Sequence, residues 1–311
     1  MSIALDDLFA VLAAVVLAVV GGEAFLKSIL GAAIHLRVPK RVVAVTLAAF
    51  ATSSPELTVS SVAALAGQPQ IGLGDALGSN VVNIALIFGL ALLYGAVPTS
   101  RGDFGRDYYL ALAVPVLTLV FAVDGQIARA EALLLIVAFA VWLAVTLRQA
   151  LRERDAPAAL DAGEMSAVRS LILGTAGLAA LIGAGRLFVG GATGIASAFA
   201  VDTYVVGVVL VAIGTSLPEL VTVLLSRLRG HDDVGVGTLI GSNLFNGLAI
   251  VGVAGVIHPI SAPLTEVALT LACGIAALLL LRPDRGGLIG RGRGVLLLML
   301  YAGFVWLTLT S

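Results

Sequence analysis

ATSSPEL, residues 51–57, returns as GTSLPEL, residues 214–220. GSNVVN, residues 78–83, returns as GSNLFN, residues 241–246, at the same offset of 163. Gly67 and Gly74 find Gly230 and Gly237 at that offset too. No insertion separates the copies between the first motif and the second, so one structural unit is used twice. Each copy sets a Pro-Glu pair, Pro55-Glu56 and Pro218-Glu219, inside an otherwise apolar stretch.

The rest of the chain explains where such stretches belong. Of 311 residues, 59% are hydrophobic and 12% charged, and the mean hydropathy is +1.09. Soluble domains carry roughly 25% charged residues, so a water-exposed fold is excluded. The composition specifies an all-α polytopic membrane protein. Ten candidate helices lie near residues 6–34, 42–66, 71–96, 108–123, 129–148, 167–197, 203–227, 234–257, 264–281 and 294–310, separated by Pro, Gly or charge. They divide into a first five-helix repeat (1–148), a polar linker (149–166) and a second five-helix repeat (167–311), with broken second and seventh helices and packed third and eighth helices. The first apolar run reads as a retained span rather than a signal peptide, because no basic residue precedes it. The single cysteine, Cys273, permits no internal disulfide.

Basic residues set the orientation. Arg37, Lys40, Arg41, Arg101, Arg106, Arg148, Arg152, Arg154, Arg169, Arg227, Arg229, Arg282, Arg285, Arg291 and Arg293 all fall on one side of a ten-span arrangement, fifteen of the 18 basic residues. That side, with the linker, is expected in the cytoplasm and both termini outside. Five spans separate equivalent positions. Five is odd, so the two copies enter the membrane inverted, the arrangement in which transporters place their sites near the midplane.

Glu56 and Glu219 carry the functional argument. A charge at the bilayer centre costs at least ~2.5–3.5 kcal/mol, and two carboxylates brought together at the repeat axis repel each other. A bound cation removes both penalties. The competing use is a helix cap, or an ion pair with Lys27 or Arg186, but neither motif carries a basic residue. The prolines break the helices, so carbonyls of Ala49, Thr52, Ala212 and Thr215 are candidates to face a ligand. Ser53, Ser79, Ser216 and Ser242 add hydroxyls; Asn83 and Asn246, one turn beyond Ser79 and Ser242, add amides on the same helix faces. An all-oxygen set of this kind suits hard cations such as Ca2+ and Na+. Asn80 and Asn243 read as contacts between helices, and Gly72, Gly74, Gly78, Gly235, Gly237 and Gly241 as faces for close packing.

The paired TSxPE and GSNxxN motifs, spread over both halves, resemble the two alpha-repeats of the prokaryotic short-loop sodium/calcium exchangers, in the cation/calcium antiporter (CaCA) superfamily. The resemblance implies secondary antiport of Ca2+ against Na+ by alternating access. Glu56 and Glu219 would coordinate both ions, completed by the backbone at Ala49, Thr52, Ala212 and Thr215 and by Ser53, Ser79, Ser216 and Ser242. Asn83 and Asn246 would flank the middle site. It also implies that the first and sixth helices, with Gly21, Gly22, Gly183 and Gly185, slide across the other eight. Three positions depart from the family pattern: Ala51 replaces a usual Gly, Ser54 a usual Leu, and Asn246 an Asp found in several relatives, including potassium-dependent ones. The last makes potassium co-transport unexpected.

The alternative reading keeps the fold and couples Ca2+ or another divalent ion to protons; proton-coupled relatives carry Gly-Asn-Ala before Pro-Glu, where this chain has Thr-Ser. A channel would need a continuous pore. Enzymatic function is not expected: HExxH and nucleophile-elbow motifs are absent from the sequence. No resident cofactor is expected. The expected partners are inorganic cations and membrane lipid, with a monomer in the plasma membrane, and the net charge of -1 argues against nucleic acid. Glu23 and Lys27 are spaced to pair, whereas Arg186 takes the repeat position of Glu23; His35, His231 and His258 lie at span ends.

Overall fold

The computed structural model of the protein describes residues 5–98, 105–152, 166–198, 212–284 and 287–310. Helix α1 is Leu5–Leu36. Helices α2, Lys40–Thr52, and α3, Ser54–Leu65, meet at a 45° bend. They are followed by α4, Pro69–Leu93, α5, Arg106–Phe121, and α6, Arg129–Arg152. The second half contains α7, Ala167–Ala198, α8, Ala212–Thr215, α9, Leu217–Leu228, α10, Asp232–Ile257, α11, Leu264–Leu280, and α12, Arg291–Thr310. The linker expected at 149–166 starts later: α6 continues to Arg152, and 153–165 lie outside the described residues, as do 203–211 of the expected seventh helix.

Among the described residues, six helices are long and apolar enough to cross a membrane, or seven with the bent pair α2–α3 counted as one span. Their outward faces fit a lipid environment. Val15, Val16, Val19 and Val20 on α1, and Leu133, Leu134, Val137 and Val141 on α6, are exposed apolar side chains. At the centre stand α10 and α4, whose most apolar windows are 83% and 72% buried, against 28% for α1 and 22% for α6.

The two breaks have the same local chemistry. Pro55 and Pro218 sit in the first turn of α3 and α9, where a missing N–H leaves no intrahelical bond unmade. Just before them, Ser53 (φ −87°, ψ 9°) and Ser216 (φ −85°, ψ 11°) hold nearly identical non-helical conformations. Each helix then resumes from the serine carbonyl, which accepts from Leu57 N at 3.1 Å and Leu220 N at 3.0 Å. At the far ends, Gly67 (φ +76°) and Gly230 (φ +72°) close the helices in the left-handed conformation. Gln68 N and His231 N return to Ala63 O and Ser226 O at 2.9 and 2.8 Å, a glycine-capped helix end. The matched glycines of the sequence are therefore matched caps.

Two short antiparallel pairs tie the loops together. Strand β1, Val97–Pro98, pairs with β4, Leu288–Ile289. Strand β2, Gln126–Ile127, pairs with β3, Ile260–Ser261. Each pair joins loops expected on the same side of the membrane. Likewise Arg227 donates to Ala96 O at 2.9 Å, Arg291 to Tyr94 O at 3.3 Å, and Lys40 Nζ lies 3.3 Å from His231 Nδ1.

Close packing through glycine is found at several of the expected positions. A Cβ on Gly72 would come within 2.8 Å of Ser60; on Gly241, 2.3 Å from Val45 O; on Gly237, 3.0 Å from Ala44 Cβ. At Gly235 the contacts are ordinary, and at Gly74 and Gly78 no described atom comes within 4 Å. Helices α1 and α7 run along each other, with Gly21 against Ala180 and Gly177 against the Gly21 carbonyl, each at 2.7 Å from the position a Cβ would take.

Candidate functional site

The two breaks deliver their glutamates to the interior. Glu56 is 1% exposed and Glu219 0%, and each lies close enough to feel the other's charge. The ion pairs that would neutralise them are made elsewhere: Lys27 lies 3.4 Å from Glu23, which also holds Arg229 at 3.0 Å. Arg186 borders a cavity of about 490 Å³ beside Ser54, Pro55, Gly185, Thr215 and Pro218. Among the described residues, neither buried glutamate has a basic partner within salt-bridge distance.

Glu219 gathers donors from two elements. Ser53 of the α2–α3 break and Ser242 of α10 both donate to its Oε1 at 3.2 Å. Thr52 Oγ1 lies 3.5 Å from Ser242 Oγ and donates to Ala49 O at 3.3 Å. The Ala49 carbonyl also accepts Ser53 N at 3.0 Å, so it keeps its helical bond. The carbonyl that Pro55 releases is that of Ala51, and Ser54 Oγ donates to it at 2.7 Å. Ser54, where the family pattern has Leu, thus stabilises the break. Leu217 takes its place in the second half.

Helices α4 and α10 meet through asparagines. Asn80 Nδ2 donates to Asn243 O, and Asn243 Nδ2 donates to Asn80 O, both at 3.3 Å. This reciprocal pair joins repeat-equivalent residues and bears out their reading as an interhelical contact. Asn83 Nδ2 donates to Asn243 Oδ1 at 3.2 Å. Both spans are π-helical immediately after this contact, over Val82–Phe88 in α4 and Phe245–Ile250 in α10, and a local π-helix is frequent at functional sites. These segments contain Asn83 and Asn246 and were not foreseen from the sequence.

Several buried atoms have no hydrogen-bond partner: Glu56 Oε2, Glu219 Oε2, Ser79 Oγ, Ser216 Oγ, Asn83 Oδ1 and both amide atoms of Asn246. A buried polar group left unpaired costs about 1–3 kcal/mol. These atoms lie on residues from both halves, and each calls for a partner that would offset that cost. Ala212 and Thr215 stand in α8, against the first turns of α4 and beside α9. Among the described residues, no three His, Cys, Asp or Glu side chains converge tightly enough to hold a metal ion by themselves. One acidic residue was missed in the sequence: Asp75 of α4, whose Oδ2 is buried and unpaired.

The family profile described as sodium/calcium exchanger protein matches residues 7–148 and 169–310, one match per half. The chain is a membrane antiporter by class. It belongs to the sodium/calcium exchanger family. It is 32% identical to the putative antiporter CaxA of Alkalimonas amylolytica over 97% of this chain and 98% of that protein. It is 28% identical to the sodium/calcium exchanger MaX1 of Methanosarcina acetivorans, over 92% and 93%. In structure it resembles the sodium-calcium exchanger NCX_Mj soaked with zero Na+ and Ca2+, with a TM-score of 0.82 and 28% identity over 96% of this chain and 97% of that one.

Proposed function

We propose that this protein is a secondary antiporter that exchanges Ca2+ for Na+ through one site shared by its two halves. The observation that carries this reading is the pair Glu56 and Glu219: repeat-equivalent, fully buried, mutually repelling and without a basic partner among the described residues. Such a pair needs a cation. Two carboxylates with Ser53, Ser79, Ser216 and Ser242, the amides of Asn83 and Asn246, and backbone at Ala49, Thr52, Ala212 and Thr215 offer the hard oxygen ligands that Ca2+ and Na+ prefer. Because both ions use the same carboxylates, occupancy by one excludes the other, which is the elementary requirement for exchange.

Ten spans in two inverted repeats account for the architecture. The reciprocal Asn80–Asn243 bonds, the matched breaks at Ser53 and Ser216, and the pairing of same-side loops support this arrangement. Alternating access follows from α1 and α7, which pack along each other through glycines at the edge of the site; sliding together, they open it to one side and then the other. The basic loops face the cytoplasm and the termini face outward. One chain holds both halves of the site, so a monomer suffices.

Reconstitution into liposomes tests the coupling. Ca2+ uptake driven by an outward Na+ gradient is the expected result. Uptake driven by a pH gradient and indifferent to Na+ would replace Na+ by protons as the counter-ion.

A further inference from the structure

Asp75 breaks the internal symmetry of the site. Its repeat counterpart is Thr238, which is fully buried and donates to Val234 O of its own helix at 2.9 Å. Thr238 therefore asks for nothing from its surroundings. Asp75 does: its Oδ2 is buried with no hydrogen-bond partner, and among the described residues no basic side chain comes within salt-bridge distance. Four and eight residues on, along the same face of α4, stand Ser79 and Asn83. Both are buried and both carry an unpaired oxygen. The first turns of α4 pack against α3 and against α8, the elements that flank the two breaks. The Asp75 carboxylate lies close enough for its charge to act on both Glu56 and Glu219. The three carboxylates nonetheless do not group tightly enough to hold a metal ion together, so Asp75 lies beside the glutamate pair and not within it.

We propose that Asp75 is a specificity-determining residue: a third fixed carboxylate, about one helical turn (~6 Å along the axis) before Ser79, that biases the site toward divalent over monovalent cations. This rests on the exchange reading above. A neighbouring charge attracts a cation in proportion to the cation's own charge. Its contribution to Ca2+ binding is therefore twice that to each Na+, whereas a purely structural residue has no such charge dependence.

The test is Ca2+ uptake by reconstituted protein, with half-saturating Ca2+ and half-saturating Na+ measured separately. Asp75→Asn should raise half-saturating Ca2+ by about tenfold and half-saturating Na+ by about threefold, the square-root relation that the charge ratio imposes. Asp75→Glu should return both toward the parent values. Asp75→Thr, which installs the side chain of the second half, serves if the Asn variant fails to insert, with the same expected shifts. Equal shifts for both ions, or a lower rate with both constants unchanged, would overturn the proposal. Parent protein that exchanges no Ca2+, or normal exchange by Glu56→Gln, would overturn the exchange reading and Asp75's role with it. Unshifted constants for Asp75→Asn in a parent that does exchange would sink the Asp75 proposal alone.

Discussion

Ser53, in the break of the first half, donates a hydrogen bond at 3.2 Å to Oε1 of Glu219, in the second half. Ser242 donates to the same oxygen at the same distance. The carboxylate is thus held from two sides while Oε2 stays unpaired. Removing either hydroxyl frees a buried carboxylate to rotate. Ser53→Ala and Ser242→Ala should each raise half-saturating Ca2+ by roughly 5–10-fold, corresponding to about 1–1.5 kcal/mol for a hydrogen bond. The double variant should differ from the sum of the two, because both bonds end on one atom. A double-mutant cycle of Ca2+ titrations decides it.

The Asn80–Asn243 pair makes a prediction about stability rather than transport. Each side chain caps the other's backbone carbonyl. Asn80→Ala and Asn243→Ala should each destabilise the protein by about 1 kcal/mol, in the range of hydrogen bonds between membrane helices. Thermal unfolding in detergent measures the loss. Two variants with unchanged Tm would mean that the pair does not hold α4 against α10.

Gly185 faces the second break. A Cβ there would come within 2.5 Å of the Gly214 carbonyl, a backbone atom that cannot swing aside. Gly185→Ala should therefore slow Ca2+ exchange at least tenfold, with insertion retained, because α7 would be forced away from α8. Gly190→Ala, where no described atom lies within 4 Å of the new methyl group, is the matched control. Equal exchange rates for the two variants would mean that close packing of α7 against α8 does not limit exchange.

One junction between loops should respond to pH. Burial, and then the Lys40 ammonium, lower the pKa of His231, opposed by Asp233 and Asp232. The folded protein therefore holds its proton less tightly than the unfolded chain. Stability is intact above the unfolded value, about 6.5, and falls as pH drops below it, where the unfolded chain takes up the proton first. His231→Asn should flatten the decline in Tm between neutral and mildly acidic pH. A decline identical to the parent's would show that other groups cause it.

Much of this was legible in the sequence, for identifiable reasons. The offset of 163 predicted matched breaks, and proline placed them within two residues of where they occur. Gly67 and Gly230 appeared as matched letters and proved to be matched left-handed caps. The π-helical segments were not legible, because a shift in hydrogen-bond register leaves no mark on the apolar pattern. What Ser54 does in place of a usual Leu was not legible either: it bonds locally to the carbonyl freed by Pro55, a competition that spacing alone does not reveal. Asp75 is invisible to the repeat because it is where the repeat differs, Thr238 standing at the matching position. Its signal was present as a carboxylate within an apolar helix, the same signal that identified Glu56.

In the proposed exchange, Glu56 and Glu219 form one cation site. Initial rates of Na+-driven Ca2+ uptake, measured on liposomes carrying equal amounts of inserted parent, Glu56→Gln or Glu219→Gln protein, test it most directly. Either substitution alone should lower uptake to the level of empty liposomes. Uptake at the parent rate by either variant would contradict it.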